Sequence, residues 1–221
     1  MNQQLAQIMA SPLFSGINET DIKKVLNCLQ GKIRTYDKGE IIFLTNEELR
    51  YIGVLLDGCV HMVKENSQGD KILLSIFRKG DIFGESFVCG GEQLAYTTFQ
   101  TEEKTTVLFL PLQKAVKACT APCPFHGRLF ENMITLIANK NVRLMEKIDV
   151  SSQKTLREKI LAYLRLEIQH KGRNPVELDI SRTVLAEYLG VNRSALTREL
   201  SRMRAEGILE FDRNRFYLTG K

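Results

Sequence analysis

Between Ser181 and Glu206 the side chains of Arg193, Ser194, Thr197, Arg198 and Arg202 project from a segment in which Leu196, Leu200 and Met203 recur at helical spacing. Arginine carries a planar fork of N–H donors, and Ser and Thr carry hydroxyls. Together they suit phosphate oxygens and the acceptor edges of bases. The preceding stretch is what must position them. Ser181 is a candidate N-cap. Val184, Leu185, Tyr188 and Leu189 form one apolar face, and Ala186 is small enough for a second helix to cross closely. Gly190 then supplies the left-handed backbone that ends a helix. Two helices joined this way read as a helix-turn-helix, whose second member lies in a DNA major groove with its first residues at base edges. Ordinary helical bundles show the same two-helix pattern. The residues after Gly207 separate the two: Ile208–Phe211 and Arg215–Leu218 read as strands around the polar turn Asp212-Arg213-Asn214, forming a wing whose tip adds arginines.

The bulk properties agree. A chain of 221 residues makes one large or two modest domains. Met1–Val150 carries 17 Lys and Arg against 17 Asp and Glu, whereas Ser151–Lys221 carries 14 against 9, so the net charge of +5 resides in the last third. A basic domain joined to a neutral one fits phosphate-backbone binding by the basic part. No apolar run approaches membrane-spanning length and Met1–Ala10 has no signal-peptide character, which implies a cytoplasmic protein with no membrane partner. Five cysteines, at 28, 59, 89, 119 and 123, are an odd count, which favours reduced thiols over a disulfide framework. No nucleophile–base set, phosphate loop or metal-spaced histidine cluster is legible, which argues against an enzyme and against a bound metal or cofactor.

In chain order, Met1–Leu29 reads as helical, broken at Pro12, Ser15 and Gly16, with Asn18 or Thr20 capping a second helix. From Ile33 to Leu110 short apolar runs alternate with turns: Ile41–Leu44, Tyr51–Leu56, Cys59–Lys64, Lys71–Phe77, Ala95–Gln100 and Thr105–Leu110. That texture predicts a compact antiparallel barrel or sandwich, interrupted at Phe83–Phe87 by a helical turn whose amides could face a ligand. Pro111–Lys117 begins helical and breaks at Cys119–Pro124. A long helix then starts at Phe125. Its stripe places Ile134, Asn141 and Ile148 at heptad position a, and Phe130, Ile137 and Leu144 at d. Ile at a with Leu at d favours a parallel two-stranded coil, and a single Asn at a fixes its register. The same stripe could instead cover the barrel. Asp149–Gln153 is polar, and Ser151-Ser152 reads as a hinge and N-cap for a helix running to about His170. Val176–Ile180 reads as a short strand. The expected organisation is α+β: a sensing β-barrel over 1–124, a dimerisation helix over 125–150 and a winged helix-turn-helix over 151–221.

This succession, with GDIFGESF at 80–87 and LAEYLGVNRSALTREL at 185–200, resembles the Crp/Fnr family of bacterial transcription regulators over nearly the whole chain. The resemblance implies a cyclic-nucleotide-binding-like jelly roll that senses an effector, and a symmetric dimer. It also implies double-stranded DNA as partner, the two recognition helices occupying successive major grooves of a near-palindromic site. In the family an R-E-x-x-x-R run on the recognition helix reads bases. Arg193 and Arg198 hold the two arginine places, suited to bidentate contact with guanine worth roughly 1–3 kcal/mol of discrimination each. Ser194 stands at the glutamate place, a departure. Thr197 is placed to touch a base or a phosphate. Arg182 and Thr183 match family positions near phosphate. Arg202 would contact phosphate or pair with Glu199 or Glu206.

Members that bind cyclic AMP hold its phosphate with an Arg-Ser pair after the Gly-Glu turn. No arginine occurs between Arg78 and Arg128, and the aligned pair falls nearest Ala95-Tyr96, with Thr97 next. The resemblance therefore points to an effector other than cyclic AMP, with Gly84, Glu85, Ser86, Tyr96, Thr97 and Leu144 as candidate contacts. Gly84 and Glu85 also fit a purely structural role. The family's iron–sulfur branch needs a trio of cysteines near the N-terminus, and only Cys28 precedes the barrel here. Haem-binding members use an axial histidine, and His61, His126 and His170 read as packed or solvated. Two alternatives stay open: a DNA-bending structural protein with no effector, and a redox regulator working through Cys119 and Cys123. A kinase or channel subunit sharing the barrel is disfavoured by the wing. Activation would need a surface for RNA polymerase, and no residues read as one.

Overall fold

The computed structural model describes residues 3–65, 71–90, 94–111 and 124–219. Packing divides the chain into two units. The first is Met1–Asp70 with Leu74–Asn139, and the second is Lys71–Leu73 with Lys140–Lys221. Among the described residues no helix is long and apolar enough to cross a membrane.

The first unit opens with helix α1 (Gln3–Met9), a 3-10 turn at Pro12–Phe14 and helix α2 (Glu19–Leu29). Of the two candidate caps, Asn18 does the work: its side chain accepts from the Asp21 amide at 2.9 Å. Ile22, Val25 and Leu29 turn the buried face of α2 inward. Eight strands come next: β1 (Lys32–Tyr36), β2 (Ile41–Phe43), β3 (Ile52–Asp57), β4 (Cys59–Glu65), β5 (Lys71–Arg78), β6 (Ile82–Phe83), β7 (Thr98–Thr101) and β8 (Thr105–Leu110). They form two four-stranded sheets, ordered β1-β8-β3-β6 and β2-β7-β4-β5. Each sheet draws strands alternately from both ends of the run, which is the jelly-roll arrangement. Short helix α3 (Glu85–Cys89) follows β6.

The inner faces of the sheets meet in phenylalanine. Phe43 lies 6.0 Å from Phe83, 5.8 Å from Phe99 and 5.8 Å from Phe109, edge to face. Phe83 stacks on Phe99 at 5.5 Å, and Phe77 touches both. Aromatic pairs in such geometries add roughly 0.5–1.5 kcal/mol beyond the area they bury. Gly53 makes room for this layer. Opposite it in register stands Phe83, whose ring covers the glycine so closely that a Cβ would sit 2.3 Å from Cζ.

Helix α4 (Pro124–Ser152) is continuous. Its first part buries Leu129 and Met133 in the first core, and Asn132 donates to the carbonyls of Leu13 and Ser15 at 3.0 and 2.8 Å. Its second part contributes Val150 to the second core. The expected hinge cap is corrected here. Ser151 and Ser152 are the last residues of α4, and helix α5 (Leu156–Lys171) is capped instead by Thr155, in a reciprocal box with Glu158. Only Thr155 has a glutamate three residues on, and that glutamate satisfies a second orphan N–H.

The second unit continues with strand β9 (Val176–Glu177), helices α6 (Arg182–Leu189) and α7 (Arg193–Ala205), and strands β10 (Leu209–Asp212) and β11 (Arg215–Leu218). The three strands form one sheet in the order β10-β11-β9. Its core joins Ile160, Tyr163 and Leu164 of α5 to Leu185, Leu189, Leu196, Leu200, Met203, Leu209 and Phe216. The strands differ from expectation in four places. Lys32–Tyr36 and Ile82–Phe83 are strands that the apolar pattern did not mark, Ala95–Thr97 precede the strand that starts at Thr98, and β9 is shorter than expected. The helical reading of Pro111–Lys117 falls at 112–117 outside the described residues, as does the Cys119–Pro124 break up to residue 123.

Gly53→Ala is expected to lower stability by about 1–3 kcal/mol through overpacking. Urea denaturation measures it, and an unchanged midpoint would show that the Phe83 ring can move aside.

Candidate functional site

The helix-turn-helix is built from local signals. Ser181 Oγ accepts from the Val184 amide at 3.2 Å and opens α6. Gly190, at φ +69°, closes it. Asn192 Oδ1 then accepts from the Ala195 amide at 2.8 Å and opens α7. Leu196, Leu200 and Met203 are buried along one side of α7, and Arg193, Ser194, Thr197, Arg198 and Arg202 are exposed on the others. The hydroxyl of Ser194 donates to Asn192 Oδ1 at 2.8 Å, which ties it into the cap. Thr197 Oγ1 donates back to the Arg193 carbonyl at 2.9 Å. Arg198 Nε lies 3.4 Å from the Ser194 carbonyl, a weak bond. Thr183 is exposed in the first turn of α6.

Behind α7 stands an ion-pair cluster that periodicity could not reveal. Arg157 of α5 donates from Nε to Glu199 at 2.7 Å and from both terminal nitrogens to Glu206 at 2.5 and 2.9 Å. The hydrogen bonds to Glu206, then to Glu199, hold the guanidinium in its charged form more firmly than usual, and the Glu206 carboxyl is lowered in turn by Arg157. Arg202 keeps only a loose approach of 3.8 Å to Glu199 and is 73 % exposed. Glu199 and Glu206 lie two helical turns apart on one flank, but nothing in that spacing points to Arg157 as their shared partner.

Arg182, at the start of α6, lies against the wing. Its guanidinium lies over the rings of Phe216 and Phe211, at 4.4 and 4.7 Å from their centroids, and donates to the Arg213 carbonyl at 2.6 Å. Burial disfavours its charged form, and cation–π contacts of this kind return roughly 0.5–1 kcal/mol each near a surface. Arg204 covers Phe211 from 5.4 Å and pairs with Glu210 at 3.0 Å. Arg213 and Arg215 at the wing tip are exposed.

The sensor candidates divide. Gly84 takes φ +82° and opens α3, and its carbonyl accepts from the amides of Phe87 and Val88 at 3.2 and 3.1 Å, so those amides are occupied within the turn. Glu85 is buried, with Ser86 Oγ 3.5 Å from its Oε1. Tyr96 is 60 % exposed, packs edge-on against Phe87 at 5.2 Å and has Lys64 Nζ 5.6 Å from its ring centroid. Thr97 is fully buried. Phe87 thus joins the Glu85–Ser86 turn to Tyr96. Leu144 belongs to the second unit and is exposed there. Cys119 and Cys123 lie outside the described residues. Among the described thiols Cys59 is buried and its pKa is pushed up to about 11 by desolvation, the opposite of a reactive cysteine. His61 and His126 are buried, and His170 Nε2 meets Glu146 at 2.9 Å.

Residues 33–121 match the model of the cyclic nucleotide-binding domain, and residues 158–219 match the Crp-like helix-turn-helix domain. The chain is 23 % identical over 198 residues to the fumarate and nitrate reduction regulatory protein of Vibrio cholerae, covering 87 % of this chain and 76 % of that one. It is 22 % identical to the protein of the same name from Escherichia coli K12 over the same shares. Among solved structures, the c-di-GMP responsive regulator CLP of Xanthomonas campestris superposes with a TM-score of 0.72 at 16 % identity, covering 92 % of this chain and all of that one. A CooA mutant from Carboxydothermus hydrogenoformans gives 0.71 at 19 % identity, covering 99 % and 92 %. These neighbours share the fold: a jelly roll, a long helix and a winged helix-turn-helix. With both domain models matched in order along the chain, this protein belongs to the Crp/Fnr family of DNA-binding transcription regulators.

Proposed function

We propose that two copies of this chain pair through α4 and insert their α7 helices into successive major grooves of a near-palindromic duplex, under the control of a small effector that is not cyclic AMP. One observation carries the reading: α7 buries its apolar stripe completely while Arg193 and Arg198 stand exposed at its leading end. Each guanidinium suits the O6 and N7 acceptors of guanine. Thr197 and Ser194 lie beside them for secondary contacts, and Thr183 and Arg202 flank them for phosphate, where they set register rather than sequence.

Pairing through α4 is supported by its exposed stripe. Ile134, Ile137, Leu144 and Ile148 are 65 %, 37 %, 45 % and 66 % exposed in the single chain, with Asn141 exposed among them. Phe130 is the exception: it packs against the first core, so the zipper pattern starts one residue pair later than the heptad reading implies. An exposed apolar stripe broken once by Asn141 calls for a partner, and the heptad spacing fits a second copy.

For the effector, the family's phosphate-gripping Arg-Ser pair aligns nearest Ala95-Tyr96, neither of which is an arginine, and Ala95 is fully buried. Without that guanidinium the anion lacks its main charge-assisted partner. One observation favours the second reading, a DNA-bending protein with no effector: the interior of the roll is filled by phenylalanine rings. DNA selection from random duplexes with and without candidate metabolites separates the two, since only the first gives metabolite-dependent enrichment.

Arg198→Ala is expected to relax the preference at one G·C pair by about 1–3 kcal/mol in competition binding. An equal loss on every sequence would make Arg198 a phosphate contact. Ile137→Asp, which buries a charge in the pairing strip, is expected to yield a monomer in sedimentation. A dimer surviving that change would place the interface elsewhere. Calorimetric titration with cyclic AMP is expected to show no binding in the micromolar range, and micromolar affinity would overturn the effector assignment.

A further inference from the structure

We propose that Arg182 is a positioning residue for DNA binding. Its guanidinium locks the wing so that Arg213 and Arg215 meet the phosphate backbone, and it makes no backbone contact of its own. The inference rests on the reading of α7 as the recognition helix, which sets the face of the domain that DNA approaches.

The observations converge on the wing. Arg182 is the first residue of α6, at the electropositive end of a helix, where a cation is disfavoured unless something else holds it. What holds it is the hairpin: two aromatic faces, Phe216 and Phe211, and one carbonyl, that of Arg213. Flat stacking and a directed N–H donor are used together, a combination that arginine offers and lysine does not. The carbonyl it reaches belongs to a residue in the left-handed region, Arg213 at φ +49°, which a non-glycine residue occupies only when its surroundings impose it. On the same turn the Leu178 amide donates to the Asn214 carbonyl at 2.9 Å. At the far end of β11, Asn174 exchanges two hydrogen bonds with Leu218, at 2.8 and 3.1 Å. The hairpin is therefore fixed at both ends, and its tip projects exposed arginines on either side of Asn214. A guanidinium resting on two rings and bonded to one carbonyl is anchored to the hairpin first, and turning it toward a phosphate would cost part of that anchorage. Among the described residues Arg213 and Arg215 have no side-chain hold of that kind to give up.

The test is binding of the full-length protein to random-sequence duplex DNA as a function of salt, with thermal melts confirming that each variant is folded. Arg213→Ala and Arg215→Ala are each expected to make the slope of log K against log salt shallower by about 0.9 for every wing engaged. Arg182→Lys keeps the charge but loses the stacked fork, and is expected to flatten the slope as much as Arg182→Ala does. Adding Arg213→Ala to Arg182→Lys is expected to change nothing further. A wild-type slope in Arg182→Lys beside a shallower one in Arg182→Ala would overturn the inference by showing a direct phosphate contact. A full Arg213 effect in the Arg182→Lys background would overturn it too, as would an unchanged slope in Arg213→Ala, a surface change that needs no refolding. Base preference reports separately on α7: if Arg198→Ala left it untouched while the wing slopes behaved as stated, the recognition reading would fall and the wing assignment would stand.

Discussion

The stripe of Leu196, Leu200 and Met203, sealed at its shoulder by the Arg157 fork, holds α7 from one side only, and the rest of the DNA-binding unit is arranged around that grip. A helix that offers polar side chains for contact has to be rigid and yet leave that face bare. Burying one side of it against α5 and α6 supplies the rigidity, because a close-packed core tolerates little displacement. Arg157 adds direction to it. A guanidinium shared between Glu199 and Glu206 adds directed contacts, two helical turns apart on α7, to the close-packed apolar stripe. The capping box at Thr155 starts α5 two residues before Arg157, so a local signal places the residue that makes this long-range bond.

How much could be read in the amino-acid sequence depends on the range of the interactions involved. Ser181, Gly190, the Leu196 stripe and the hairpin were legible because capping, left-handed closure and helical spacing all act within a few residues. The jelly roll was legible as a class from its turns and short apolar runs. Its two faintest signals were not: Ile82–Phe83 is too brief to alternate, and Lys32–Tyr36 pairs as a strand without an apolar alternation of its own. The cap at Thr155 lay in plain view but competed with the nearer Ser151-Ser152 pair, and the deciding residue was Glu158.

The site residues divide the same way. That Arg193 and Arg198 stand exposed follows from the helical period and needs no tertiary information. The clamp from Arg157 to Glu199 spans 42 positions, and the contact between Arg182 and the Arg213 carbonyl spans 31. No periodic pattern announces either of them. Family resemblance assigned Arg182 by position, and only the hairpin's aromatic pair shows what else can occupy its fork. On the sensor side the resemblance supplied the alignment of Ala95-Tyr96, and the fold adds that Phe87 ties this segment to the Glu85 turn.

The aromatic layer of the roll has one further mechanical consequence. Phe87 touches Tyr96 on its outer side and Phe99 on its inner side, at 5.2 and 6.3 Å, and Phe99 continues through Phe83 to Phe77 and Phe43. Because these rings touch one another, a displacement of Phe87 at the Tyr96 edge has to be accommodated by Phe99 and the rings behind it, in a layer packed too closely to absorb it locally.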